Sequence, residues 1–187
     1  MPVTSRSFAP ASRPGWLNSN GVQVRGFASS VLTCEAPGVR ALVQRVRSAH
    51  VDVITDVSSE RVGEITTGVC VLVGVTHDDT EDHAVRLAAK VADLRIFADD
   101  EGVMNRSLLE VDGEALVVSQ FTLYGDTGRG RRPGWSAAAR PEQAEPLVDR
   151  FAEALGDRGV RVATGRFRTD MQVGLVNDGP CTLMLEI

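Results

Sequence analysis

Val69 to Val75 reads VCVLVGV, seven residues with no charge and no strongly polar group. A run this short and this apolar is a strand buried on both faces, since a half-exposed strand alternates and a helix needs greater length. Cys70 lies inside it and belongs to the core. The stretch ALVVSQFTLYG (115–125) has the same character on both faces for most of its length, which makes it central in a sheet. Around these two the other elements read as shorter strands and two helices. ALVQRV (41–46) and HVDVI (50–54) alternate as strands, and VGEI (62–65) can pair with the second across TDVSSER. RIFADDEGVMNRSL (95–108) predicts a hairpin turning at Asp99-Asp100-Glu101-Gly102.

Ala84, Leu87, Ala88, Val91 and Leu94 recur at helical spacing after Asp79 or Thr80, either of which can cap. A second helix is predicted from Pro141 to Leu155, burying Ala144, Leu147, Val148, Phe151 and Leu155. VRVATG and two closing runs, Met171–Val176 and Cys181–Ile187, complete the strands. Two helices among about eight mostly sequential strands predict an α+β fold. The expected core is a mainly antiparallel, barrel-like sheet in a single domain over residues 39–187.

Residues 1–38 differ in kind. They carry Arg6, Arg13 and Arg25 against Glu35 alone, are rich in serine, and show no sustained periodicity. Three readings stay open there: a disordered extension, an organelle transit peptide, or sequence translated from upstream of a start at Val39. A secretory signal is excluded, because no continuous apolar core is present. Elsewhere no apolar run approaches the ~20 residues of a membrane span. Three cysteines without CxxC spacing favour a reducing compartment over a disulfide scaffold, hence the cytoplasm. A net charge of −5 argues against a protein that grips nucleic acid over its whole surface and leaves a local basic patch open.

The chemistry-bearing groups are few. His50 sits within a strand. His77 and His83 bracket an acidic helix start, whose carboxylates suit the macrodipole better than a metal. No metal or other cofactor is expected. Strand alternation puts Cys181 on an apolar face with Leu183, Leu185 and Ile187, and Thr182 on the more polar face, so a thiol nucleophile is rejected. Ser119, Gln120 and Thr122 interrupt the central apolar strand with groups that need partners when buried. If the strand continues, Ser119 and Phe121 face one way and Gln120 and Thr122 the other. One pocket then receives them all only through a bulge or through backbone N–H groups. Arg129, Arg131 and Arg132 form GRGRR on a loop, either a solvated run or a set of phosphate contacts. Asn177-Asp178-Gly179 alone would make a hairpin turn. Pro180 adds a residue that removes a ladder donor, so it either marks a strand boundary or builds a rigid feature aimed at a ligand.

SQFTL at 119–123 and NDGP followed by Thr182 resemble the two signature motifs of the D-aminoacyl-tRNA deacylases. ALVQRV, RIF, Met104-Asn105, Arg132-Pro133 and TGRF…DMQVGLVNDGP are similar to that family as well. The resemblance covers about residues 39–187. It implies a homodimeric hydrolase that cleaves the ester joining a D-amino acid to the terminal adenosine of tRNA. It further implies a cis Gly179-Pro180 peptide reaching into the partner subunit's pocket. A rigid wall there would reject L-amino acids by their side chains, and since exclusion by bulk cannot reject a smaller group, glycyl-tRNA mischarged on tRNA for alanine is expected as a second substrate. Ser119, Gln120 and Phe121 would receive the adenosine and ester, and Met171 would line the pocket. Thr122 acts as nucleophile in one account, and the terminal 2′-hydroxyl activates water in another. The competing functions are a non-catalytic dimeric module binding nucleotides or tRNA ends, and an esterase for small D-amino-acid esters.

Overall fold

The computed structural model describes residues 38–128 and 130–187. The expectations for the N-terminal extension lie outside the described residues apart from Gly38, and those for Arg129 lie outside them entirely. Among the described residues eight strands, two α-helices and one 3-10 turn follow in chain order. They are β1 (Arg40–Ile54), β2 (Ser59–Ile65), β3 (Gly68–Gly74), α1 (Glu81–Asp93), β4 (Phe97–Ala98), β5 (Met104–Arg106), β6 (Glu114–Ser119), the 3-10 turn (Phe121–Tyr124), α2 (Pro141–Asp157), β7 (Arg161–Thr164) and β8 (Met171–Glu186).

ALVQRV and HVDVI are not two strands. They are one strand of 15 residues, β1, whose register shifts absorb the change of phase between the two alternating segments. β8 runs antiparallel along the whole of β1 on one edge. On the other edge Arg40–Val46 pairs with β3 and Ala49–Ile54 with β2, both antiparallel. The sheet order is β2-β1-β3-β6-β7. β2 curls over to lie against β6 and β7, so that the sheet nearly closes into a barrel. Gly63 permits that closure, since a Cβ there would stand 2.8 Å from the carbonyl oxygen of Thr164.

β3–β6 and β6–β7 are parallel pairs, within a sheet expected to be mainly antiparallel. The physical reason is connectivity: α1 and α2 are the crossovers between these strands, and a strand that returns through a helix comes back parallel. The predicted hairpin is present as β4–β5, with Gly102 at φ +80° completing its turn.

The two apolar strands are buried on both faces as their sequences require. Val46, Ala49, Val51, Ile65, Cys70, Leu116 and Val118 form the core inside the curled sheet. Val69, Val71, Ala115 and Val117 point the other way, against Leu87, Val91, Phe151 and Leu155 of the helices. Thr80 caps α1 by accepting from the backbone N–H of His83 at 3.5 Å. Pro141 opens α2 where a missing N–H does no harm.

Two further expectations are corrected. The central strand ends at Ser119, and residues 121–124 turn into a 3-10 helix instead of continuing the alternation. The two closing runs are a single strand, β8, and both halves pair with β1. Gln44 faces Thr182 and Val46 faces Asn177, so the residues between those two on β8 bulge out against the single residue Arg45. The bulge accommodates a proline with no N–H to give to the ladder.

Candidate active site

A cavity of about 550 Å³ opens where β6 ends, between the 3-10 turn, the start of α2 and the segment leading into β8. Val73, Val75, Val118, Ala139, Met171 and Val173 give it an apolar floor. Ser119, Gln120, Thr169 and Asp170 supply the polar part of its wall, and Phe121 and Trp135 stand beside them. The turn at Ser119 resolves the alternation problem. A strand would send Ser119 and Gln120 to opposite faces, whereas a strand end running into a 3-10 turn brings both to one opening. The Gln120 N–H donates to the Val73 carbonyl at 2.7 Å, which ties the turn to β3.

Arg40 secures the same turn from β1. Its guanidinium donates to the Leu123 carbonyl at 3.0 Å, lies 4.4 Å from the centre of the Tyr124 ring, and pairs with Glu186 at 2.7 Å. The Tyr124 hydroxyl donates to the Gly38 carbonyl. On the opposite wall Arg168 takes φ +56°, a left-handed turn at the cavity rim. The Asp170 carbonyl accepts from the Ile54 N–H at 2.8 Å.

The residues singled out in the sequence divide into two places. Ser119, Gln120, Phe121 and Met171 line the cavity. Thr122 does not, but its hydroxyl accepts from the Gln120 side-chain amide at the cavity's edge. Gly179, Pro180 and Thr182 lie elsewhere, exposed along the outer stretch of β8. The Gly179-Pro180 peptide is cis. Thr182 accepts from Gln44 at 3.2 Å. Arg131 and Arg132 are exposed on the loop that ends at Trp135.

Cavity and bulge each have support that the sequence reading missed. Arg45 donates to the Asp178 carbonyl at 2.9 Å, to the Ile96 carbonyl, and lies 3.2 Å from the Asp178 carboxylate. Arg47 reaches the other carboxylate oxygen at 3.1 Å. Asn177 bridges the neck of the bulge by donating to the carbonyls of Arg45 (3.0 Å) and Cys181 (3.3 Å). The clue was available: an arginine interrupts the apolar strand ALVQRV, and an unpaired charge is not kept in such a strand. Trp135, Phe167 and Thr169 gave no comparable signal, since they come from loops whose course depends on the whole fold.

No histidine or cysteine lines the cavity. His50 sits 3.7 Å from Asp52, His77 bonds the Ser136 carbonyl at 2.9 Å, and His83 lies 3.4 Å from the buried Asp79. Burial pushes the Asp79 carboxyl up from its ordinary value. Cys70 is buried, which pushes its thiol up to about 11, and Cys181 is in the core as alternation predicted. Both thiols are buried away from the cavity, so neither is placed to attack a ligand there. Among the described residues no three side chains are grouped to hold a metal ion. What the cavity can do is position a ligand against an apolar floor and offer it hydroxyl, amide and backbone groups.

The sequence signature of the family described as D-Tyr-tRNA(Tyr) deacylase matches residues 42–186. The chain belongs to that family. It is accordingly an enzyme, a hydrolase of the deacylase class. The D-aminoacyl-tRNA deacylase of Symbiobacterium thermophilum is 57% identical over 148 residues, covering 79% of this chain and 95% of that protein. Its counterpart in Thermus aquaticus is 53% identical over the same length, again with 79% and 95% covered. A solved structure described as c-Myc DNA Unwinding Element Binding Protein is 36% identical and superposes with a TM-score of 0.72, covering 79% of this chain and 98% of its own. Among the described residues no helix is long and apolar enough to cross a membrane.

The bracing of the bulge makes a direct prediction. Arg45→Ala leaves the Ile96 and Asp178 carbonyls short of a donor and should lower the unfolding free energy by about 1–3 kcal/mol. Arg47→Ala removes only an exposed ion pair and should cost below about 1 kcal/mol. Urea unfolding of the two variants checks the difference.

Proposed function

We propose that this chain is a tRNA-editing hydrolase, acting in the cytoplasm, which removes D-amino acids from the 3′ end of tRNA. The observation that carries the reading is the cavity itself. In a chain of this family, Ser119, Gln120 and Phe121 are gathered at one opening over an apolar floor, and the lining residues hold no histidine, cysteine or lysine, Asp170 being the one carboxylate among them. Such a site suits a substrate that brings its own reactive group. In the proposed reaction water attacks the ester carbonyl, the acyl–oxygen bond breaks, and the tRNA leaves with a free 3′-hydroxyl. The terminal 2′-hydroxyl orients and activates the water, and Ser119, Gln120 and the backbone hold the ester. Thr122 acts on Gln120 in this account and is not the nucleophile. The support is its place beside the cavity rather than in its wall, with no histidine alongside.

The working form in this proposal is a homodimer in which Gly179 and Pro180 of each subunit wall the other's pocket. Two observations favour it. The bulge stands exposed and apart from the cavity of its own chain. β8 pairs only with β1 among the described strands and exposes Val173, Val176, Leu183 and Met184, an apolar edge that invites a second copy. With the ammonium and the ester of the substrate both held, such a wall meets hydrogen on one enantiomer and a side chain on the other. A yielding pocket discriminates one methyl by only about 10–200-fold. The braces from Arg45, Arg47 and Asn177 give the wall the stiffness to do better.

The first test is hydrolysis of D-tyrosyl-tRNA beside L-tyrosyl-tRNA and free D-tyrosyl ester. Only the D-tyrosyl-tRNA should be cleaved. Cleavage of none indicates a non-catalytic tRNA-end binder, and cleavage of the free ester alone a small-molecule esterase. Because exclusion cannot reject a smaller substrate, glycyl-tRNA should also be cleaved while L-alanyl-tRNA survives. If D-alanyl-tRNA reacts and glycyl-tRNA does not, the site grips the D side chain and the wall is not the selector.

The chemical step has its own test. A tRNA ending in 2′-deoxyadenosine should lose nearly all turnover, whereas Thr122→Val should lower it only modestly. A reactive deoxy substrate together with a dead Thr122 variant would reverse the assignment.

For the arginine loop, Arg131→Ala with Arg132→Ala should weaken tRNA binding and flatten its dependence on salt by about one to two counterions. An unchanged slope in a filter-binding titration removes the phosphate role.

A further inference from the structure

Phe121 and Trp135 are large aromatic side chains left 54% and 42% exposed at the edge of the cavity. Their rings meet edge to face, centroids 5.2 Å apart at 67°. Trp135 is held by backbone rather than by a core. Gly134 beside it exchanges hydrogen bonds of 2.8 Å with Asp126 in both directions. The Trp135 carbonyl accepts from Ala138 at 3.1 Å, and the next two carbonyls, of Ser136 and Ala137, bond His77 at 2.9 Å and Thr76 at 2.6 Å. The indole lies directly on Gly125, where a Cβ would stand 2.7 Å from its Cζ3 atom. An exposed indole fixed this firmly adds nothing to either hydrophobic core, and neither core contains it.

Two further features define what it faces. Arg131 and Arg132 are exposed four and three residues away on the same loop, in a chain whose net charge is −5. A fixed aromatic surface beside a cluster of arginines is the chemistry that receives single-stranded nucleic acid, bases on the rings and phosphates on the guanidinium groups. The cavity, at about 550 Å³, has room for an amino acid and one nucleoside and not for a longer strand. The next nucleotide of a bound tRNA must therefore lie outside, at the rim.

We propose that Trp135 is the stacking platform for the unpaired nucleotide immediately before the terminal adenosine, with Arg131 and Arg132 receiving the phosphates that lead to it. This rests on the deacylase reading above and adds to it the residue that reads the RNA as a strand. Trp135 thereby separates tRNA from a free aminoacyl nucleoside.

The test has a binding arm and a kinetic arm. In a Trp16→Phe background Trp135 is the only tryptophan, so its emission reports on stacking whether or not the substrate is hydrolysed. The single-stranded trinucleotide CCA should quench it, and the same RNA with an abasic penultimate position should not. Equal quenching by both, or none by either, overturns the proposal. In the kinetic arm Trp135→Ala should lower kcat/KM for D-tyrosyl-tRNA roughly tenfold or more, the worth of one base on one aromatic ring. Trp135→Phe should restore most of it, and the loss that Trp135→Ala causes on D-tyrosyl-adenosine should be several-fold smaller than its loss on D-tyrosyl-tRNA. Equal losses on both substrates would make Trp135 merely a prop for Phe121 and overturn the proposal. Absence of hydrolysis by the unsubstituted enzyme would strike the deacylase reading, leaving the quenching result to decide the stacking role.

Discussion

The fold depends on the backbone pairing of β1, which serves three strands at once. β8 occupies one edge along its full length, so β2 and β3 must share the other end to end. A strand paired this way cannot stay flat, because successive strands twist against one another and the two neighbours on one edge diverge. The divergence carries β2 round towards β6 and β7, which creates an interior for Val46, Cys70 and Leu116. It also leaves the opposite faces of β3 and β6 to be covered by α1 and α2. The candidate site lies where this arrangement runs out. β6 stops at Ser119, the chain turns, and α2 starts beside it, so the cavity forms at a strand end against the helix layer.

The same pairing explains why the bulge on β8 is well defined. Between Gln44 and Val46 β1 offers only Arg45, while β8 must pass the residues from Asp178 to Cys181. The surplus leaves the sheet, and the groups it strands are satisfied by side chains. Arg45 takes the Asp178 carbonyl and carboxylate, Arg47 shares the carboxylate, and Asn177 closes the neck. Removing surplus backbone from a ladder is unfavourable unless its polar groups find other partners, and here one arginine on the facing strand supplies most of them. A bulge held in this way keeps Gly179 and Pro180 exposed without leaving them loose.

Much of this was legible in sequence, and the failures have specific causes. VCVLVGV and ALVV read correctly as doubly buried strands because their environment is local in consequence: both faces are apolar, so both faces are covered. Thr80, Ala84, Leu87 and Val91 marked α1, and Cys181 fell in the core where alternation put it. The split of β1 failed because alternation changes phase at a bulge and then looks like two strands. The closing runs were read as two strands because a turn signal at Asn177-Asp178-Gly179 cannot say whether the chain ends a strand or only leaves the ladder. Parallel pairing was implicit in the strand–helix–strand order, though strand content alone did not reveal it. SQFTL was recognised as a place of unusual polarity, while the way it serves one cavity depended on a 3-10 turn that propensity does not announce. Arg45, Trp135 and Thr169 come together only in three dimensions.

The distribution of ionisable groups bears on how a site like this can be both selective and undemanding of its own side chains. The buried carboxyl of Asp79 and the thiol of Cys70 sit away from the cavity, and the polar part of its wall offers mainly hydroxyl, amide and backbone groups. The hydroxyl and amide groups carry no net charge to be neutralised as a ligand enters, and the two charged lining residues, Arg168 and Asp170, are exposed to solvent. The dipoles of the uncharged groups strengthen in the drier interior and act on whatever charge the substrate develops. Shape is then left as the means of selection, which requires a boundary that does not yield. In the proposal the braced bulge on β8 serves as that boundary, and its residues do not line the chain's own cavity. On that proposal a single subunit has a pocket and a wall that do not meet, and in the dimer each supplies what the other lacks. Stereochemical selection and assembly would then be the same event, since a separated subunit would retain the cavity and lose its means of choosing.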